Sequence, residues 1–241
     1  MPRIRSVLFD LGGTLVDERD FAGWLELAAS LGLDLEADAL SHAYLEVERE
    51  VDASPPPADR EAGIVDFWRR TLSGAAGRDV PLPLVRAFLA AGRADDSPMP
   101  LFSDVRRCLA SLHEGGRVLG VLSNSSSEER VRHVLEQVGI LGYFAAIVVP
   151  GDRGAAKPDP EIFHRALDRL GVAAEQALYV GNLARTDAQA AKAAGLHALW
   201  LNRDGTGMGD DPPEITSLLE VPLWVRRLDA EPLTPGPRGA R

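Results

Sequence analysis

Four short stretches of this 241-residue chain carry side chains that together could move a phosphoryl group. Asp10 stands where a short apolar run, Ile4 to Phe9, breaks into Gly12 and Gly13. Ser123 and Asn124 follow the run Arg117 to Leu122, Lys157 lies in a loop before Pro158, and Asn182 to Asp187 follow the run Ala177 to Val180. A carboxylate nucleophile, a hydroxyl and an amide donor, a cation and a carboxylate able to bind metal are the set required to pass a phosphoryl group to an aspartate. Each has a structural explanation when taken singly. Asp10 can be a turn residue and Lys157 a solvated one; Ser123 and Asn124 can open a helix, with Ser125 and Glu128 at capping-box spacing; Asn182 and Asp187 can be helix-start residues. Their shared position at strand ends favours the functional reading, because open α/β sheets bind ligands outside the carboxyl ends of their strands.

Positioning these groups falls to elements that the apolar periodicity outlines. The branched run Ile4 to Phe9 predicts a buried strand. From about Asp95 onward helical and strand patterns alternate: helix Ser103 to His113 and strand Arg117 to Leu122, helix Ser127 to Val138 and strand Ala146 to Val149, helix Pro160 to Leu170 and strand Ala177 to Val180, helix Thr186 to Ala194 and strand His197 to Leu201. Asp159 and Pro160 form a cap and first-turn pair. Between Asp17 and about Asp96 no strand pattern occurs, and four stripes recur at helical spacing: Phe21, Trp24, Leu25 and Ala28; Leu40, Ala43, Tyr44, Val47 and Val51; Ile64, Phe67, Trp68 and Leu72; Leu84, Val85, Phe88 and Leu89. Proline stiffens the connection ASPPPAD between the helix pairs. The expected fold is α/β: a doubly wound parallel sheet over residues 1–16 and 97–228, interrupted by a helical domain over 17–96, with 229–241 as a disordered tail rich in Pro, Gly and Arg.

Composition narrows the function classes. With 45% hydrophobic and 26% charged residues the chain can bury a sizeable core. A formal net charge of −10 and a pI near 5.0 oppose nucleic acid and membrane surfaces as partners, which need clustered Lys and Arg. No window approaches the roughly 18 apolar residues of a membrane helix, and the opening MPRIRSVLFDLGG has two arginines but too short an apolar run for a signal peptide. The single Cys108 cannot form an internal disulfide and reads as a small core residue, so a cytoplasmic protein is expected. The five histidines show no metal-ligand spacing, DGTGMG from Asp204 lacks a full GxGxxG, and Trp24 and Trp68 read as core of the helical segment.

FDLGGTL (Phe9 to Leu15), VLSNSS (Val121 to Ser126), AKPDPEIF (Ala156 to Phe163) and YVGNLARTD (Tyr179 to Asp187), in this order, resemble the four motifs of the haloacid dehalogenase superfamily. The resemblance covers roughly Arg3 to Leu201, with the helical insert in the place of a first-position cap. It implies a Rossmann-like core and a magnesium-dependent phosphatase acting on a small phosphorylated substrate. Asp10 would become an aspartyl phosphate, and its carboxylate and the Gly12 carbonyl would bind magnesium. Ser123 and the Asn124 amide would hold phosphoryl oxygens, Lys157 would neutralise charge, and Asn182 and Asp187 would complete the metal site, Asp187 directly or through water. Two positions depart from the pattern. Gly12 stands where such phosphatases carry an aspartate serving as general acid and base, and Asn182 replaces an aspartate after Gly181.

General acid and base catalysis contributes about 100-fold to 10,000-fold, so the Gly12 departure predicts a slowed enzyme with a burst from activated aryl phosphates. Asp17 and Glu18 are the nearest acidic residues in sequence that could substitute for the missing aspartate, although both read more readily as hinge or helix-start residues. Asn182 predicts weaker magnesium binding. Two other functions compete. A 2-haloacid dehalogenase would use Asp10 on carbon without metal, against which Phe163 replaces the usual tyrosine and the Asn182 to Asp187 spacing is longer. A degenerate relative would bind ligand or partner without turnover. The physiological substrate and the choice between monomer and homodimer are open at this level.

Overall fold

The computed structural model describes residues 3–19, 21–55, 57, 59–94, 99–125, 127–151, 154–203, 205 and 211–230. Six strands form one parallel sheet: β1 (Ser6–Phe9), β2 (Val118–Leu122), β3 (Phe144–Val148), β4 (Ala177–Gly181), β5 (His197–Leu201) and β6 (Glu214–Ile215). Their order is β3-β2-β1-β4-β5-β6. The chain steps outward from β1 through β2 to β3, then returns to the other side of β1 with β4. That reversal opens a crevice at the carboxyl ends of β1 and β4. Phe9 registers with Val121 on one side and Val180 on the other, so Asp10 emerges at the crevice.

The strands are continuous apolar runs because both faces of the sheet are covered. Val7 and Phe9 pack on one side with Val105 and Leu109 of α5 (Val105–Glu114), Val131 and Leu135 of α6 (Glu128–Gln137) and Val225. Leu8 packs on the other with Ile162, Phe163 and Leu167 of α7 (Pro160–Leu170) and Ala191 of α8 (Ala190–Ala193). Four helices stand between β1 and α5: Phe21–Ser30, Ala37–Ala53, Arg60–Ala76 and Leu82–Ala94. Their apolar stripes meet in a separate core of Ala28, Leu33, Leu40, Leu72, Val85 and Phe88. Trp24 and Trp68 meet edge to face at 4.7 Å in that bundle. The segments entering and leaving it run side by side: Asp17 donates its amide to Pro100 at 2.8 Å and Phe102 donates to Leu15 at 3.3 Å. No helix among the described residues is long and apolar enough to cross a membrane.

Several local expectations change. Val51 and Ile64, assigned to apolar stripes, are 37% and 36% exposed. Ser127, not Ser125, caps α6, accepting from the Arg130 amide. Residues 186–189 of the expected helix Thr186 to Ala194 belong instead to a π-helical turn, Ala184–Gln189, ahead of α8. β6 and a last helix, Val221–Ala230, were not outlined by the sequence pattern. That helix reaches the amino end of β1, where Asp229 accepts from the Ile4 amide at 2.8 Å and from Arg117 at 2.6 Å. The loop from Asp204 lies largely outside the described residues, as do residues 231–241 of the expected tail, whereas Asp229 and Ala230, placed in that tail by the sequence, belong to the last helix.

Candidate active site

All seven residues singled out in the sequence, Asp10, Gly12, Ser123, Asn124, Lys157, Asn182 and Asp187, line one cavity of about 460 Å³ at the crevice. The backbone brings them there. The Asp10 amide donates to Val180 at 2.9 Å and the Ser123 amide to Val148 at 3.0 Å, fixing both at the strand ends. The Asn124 side chain clamps the lysine loop twice, donating to the Lys157 carbonyl at 2.9 Å and accepting from its amide at 2.8 Å. Its side-chain amide is thereby engaged within the protein.

Lys157 is the centre of the charge network. Its Nζ donates to Asp10 Oδ1 at 2.6 Å, to Asp187 Oδ1 at 2.7 Å and to the Tyr179 hydroxyl at 3.0 Å. Tyr179 in turn donates to Asp187 Oδ1 at 2.9 Å, and the Leu183 amide donates to Asp187 Oδ2 at 3.0 Å. Both oxygens of Asp187 are therefore engaged within the protein. Tyr179 was missed by the sequence reading. The signal was a hydroxyl in an otherwise apolar buried strand, which has to find a partner.

Burial and charge act against each other here. Burial is the largest influence on Asp10, and the Lys157 charge opposes it while Asp187 reinforces it, leaving its carboxyl pushed up to about 6. Burial pulls the Lys157 ammonium down, but Asp10 and Asp187 outweigh it and the net shift is upward. At neutral pH the lysine is a cation held between Asp10 and Asp187. Burial, then Asp187 and Asp10, push the Tyr179 phenol well up, so it stays a donor.

Gly12 is occupied from an unexpected direction. A Cβ built on it would stand 2.1 Å from Oε2 of Glu18 and 2.4 Å from its Cδ. Glu18, read in the sequence as a hinge residue, reaches into the cavity. The loss of water around it, then Asp10 and Glu48, push its carboxyl upward, and the charges of Lys157 and Arg19 oppose that shift.

Among the described residues no three His, Cys, Asp or Glu side chains form a metal cluster. The oxygen donors that share the cavity with Asp10 are of a different kind. They are the Asp10 carboxylate itself, the Gly12 carbonyl and the amide oxygen of Asn182, which accepts from Thr14 at 3.4 Å. Hard oxygen donors with few carboxylates and room for water suit magnesium.

The insert closes one side of the crevice. Asp52, in the last turn of Ala37–Ala53, accepts from the amides of Arg185 at 3.0 Å and Thr186 at 2.9 Å, at the start of the π-helical turn. A second cavity of about 780 Å³ adjoins the first, sharing Glu18, Glu48, Asn182 and Leu183 and adding Arg19, Arg49 and Trp200.

Comparison with known proteins agrees with this architecture. A family profile described as haloacid dehalogenase-like hydrolase matches residues 4–195. The chain is 30% identical over 230 residues to a phosphoserine phosphatase of Thermus thermophilus, covering 92% of this chain and 89% of that one. It is 32% identical over 216 residues to a phosphoglycolate phosphatase of Salmonella typhimurium, covering 83% and 82%. Among solved structures, the HAD hydrolase YfnB of Bacillus subtilis bound to magnesium superposes with a TM-score of 0.74 at 20% identity, covering 92% of this chain and 99% of that one. That likeness concerns the fold.

Proposed function

The chain belongs to the haloacid dehalogenase-like hydrolases, and from that premise we propose that it is a magnesium-dependent phosphatase of a small phosphorylated metabolite, with Asp10 as nucleophile. The observation that carries the reading is Lys157 held at 2.6 Å from Asp10 beside Ser123, in a cavity at the sheet's switch point. A carboxylate paired with a fixed cation at a strand end is ready to meet a dianion, because the ammonium offsets the repulsion between them.

In the proposed reaction the substrate's phosphoryl oxygens face the Ser123 hydroxyl, the Asn124 amide and the Lys157 ammonium. The Asp10 carboxylate attacks phosphorus, and the aspartyl phosphate is then hydrolysed by water. Asp187 and Tyr179 hold the ammonium in place and touch no substrate. Asp10, the Gly12 carbonyl and Asn182 would hold magnesium, with Asp187 acting through water, and the ion would supply positive charge to the phosphoryl oxygens. The helical segment 17–96 serves as a cap, the adjoining cavity receives the rest of the substrate, and the enzyme works in the cytoplasm. The substrate class follows from the relatives named for phosphoserine and phosphoglycolate. Arg60, at the first turn of its helix, lines the cavity that holds Asp10, with no acid among the described residues offsetting its loss of water, and suits a second anionic group on the substrate.

A panel of phosphorylated metabolites and an aryl phosphate, assayed with and without magnesium, tests the reading. Turnover should need the metal and vanish in Asp10→Asn. Metal-free halide release from 2-chloropropionate would assign the dehalogenase reaction instead. With one charged ligand site replaced by the Asn182 amide, magnesium should raise the thermal midpoint only at concentrations well above the micromolar range. Saturation at low micromolar metal would contradict the weakened site.

A further inference from the structure

The space that a side chain at position 12 would fill is taken by the carboxyl group of Glu18, whose Oε2, Cδ and Oε1 lie 2.1, 2.4 and 2.8 Å from the Cβ position of Gly12. Glu18 belongs to both cavities, the one lined by Asp10, Ser123 and Lys157 and the adjoining one. It therefore stands at their junction. A phosphomonoester whose phosphoryl group lies on Asp10 and whose body extends into the second cavity must place its bridging oxygen at that junction. Asp10 and Lys157 of the core and Arg19 and Glu48 of the insert all act on the charge of Glu18. Among the described residues no hydrogen-bond donor ties its carboxylate down. The contacts with the Gly12 position are the far end of a flexible chain, so the group can advance and withdraw by its own rotations.

We infer that Glu18 is the proton carrier of the reaction, delivering from the entrance of the helical insert the carboxyl group that residue 12 does not provide. The inference rests on the phosphatase reading. As the bond from Asp10 to phosphorus forms and the bond from phosphorus to the substrate oxygen breaks, the Glu18 carboxyl gives its proton to the departing oxygen, and the alcohol leaves. Glu18, now a carboxylate, takes a proton from the water that attacks the aspartyl phosphate. That second attack releases inorganic phosphate, restores the Asp10 carboxylate and returns Glu18 to its protonated form. Because Glu18 follows Asp17, whose amide is held by Pro100 where the insert joins the sheet, the proton carrier sits at the entrance of the insert and not on the strand that carries the nucleophile.

The test is a kinetic double-mutant cycle on the full chain with magnesium, using a primary alkyl phosphate and a series of aryl phosphates of graded leaving-group acidity. Glu18→Gln and Glu18→Ala should each lower kcat/KM for the alkyl phosphate by about 100-fold, and both should steepen the dependence on leaving-group acidity, which a merely structural role would not change. In a Gly12→Asp background, where a carboxyl is attached at the position itself, Glu18→Ala should cost less than about threefold. Glu18→Gln is nearly isosteric at a water-contacting position, so its thermal midpoint, expected to match the parent's, separates chemistry from misfolding. The inference is overturned if both Glu18 variants stay within about threefold of the parent with an unchanged leaving-group slope, or if the penalty is the same in both backgrounds. Asp10→Asn separates the two levels. If it abolishes turnover while the Glu18 variants do not alter it, only the role of Glu18 fails, and if it too leaves turnover intact, the phosphatase reading itself fails.

Discussion

A methyl group on Gly181 would stand 2.4 Å from Cγ of Asp187 and 2.5 Å from its Cβ. Position 181 is therefore closed to any side chain while Asp187 keeps its bonds to Lys157, Tyr179 and the Leu183 amide. Gly181→Ala should cost about 1–3 kcal/mol by overpacking and should lower kcat by releasing the ammonium from its place, as urea unfolding and steady-state kinetics would read. Asp104 shows a second kind of constraint. It accepts from Arg203 through both oxygens at 2.9 and 3.2 Å and from Ser217 and the Leu218 amide at 2.9 Å each. Partial burial raises its carboxyl, but Arg203, Leu218 and Ser217 outweigh that and the net shift is downward. A folded value below the unfolded one means the stabilisation is complete above the ordinary aspartate range and fades as pH falls through the depressed value. Asp104→Asn should therefore cost about 2 kcal/mol at neutral pH. The gap from the parent should close below pH about 4, a trend that denaturation at graded pH would reveal or refute. At this scale the residue types were legible and their partners only in part. Asp10 and Lys157 announce themselves by their place after apolar runs, whereas the bonds of Tyr179 and the reach of Glu18 depend on side-chain directions that spacing does not encode.

Elements decide how those side chains are held. The π-helical turn at Ala184–Gln189 could not be read from periodicity, because the extra backbone width there goes with Asp187 turning back to the Leu183 amide. β6, at two residues, is shorter than any pattern can register. By contrast the four long helices of the insert and the first five strands were legible, since each repeats its apolar signal over a full element. One contact between insert and core has direct consequences. Asp52 caps the amino end of the π-helical turn, the loop that also carries Asn182 and Asp187. Asp52→Ala should remove about 1 kcal/mol, speed hydrogen exchange at the Arg185 and Thr186 amides and raise KM. Unchanged exchange at those two amides would show that the insert is held elsewhere.

Across the whole molecule the strand order was the part of the fold that local pattern could least supply, because alternation of helix and strand does not say which strands are neighbours. The sequence reading reached a doubly wound parallel sheet and no further, and the order β3-β2-β1-β4-β5-β6 is a finding of the structure. The same sheet order places Asp10, Ser123, Lys157 and Asp187 around one crevice, although 177 positions separate the first from the last.

Asp229 and Arg117 fasten the last helix to the amino end of β1, with Asp229 Oδ1 only 2.8 Å from the Ile4 amide. Positions 4 and 229 thus adjoin, and a short flexible tether can join them without crossing the crevice. A circular permutant reopened at Pro55, in the exposed connection between the second and third helices, should keep the parent's circular dichroism and its activity. Its failure to fold would mean that assembly depends on β1 being laid down before the insert.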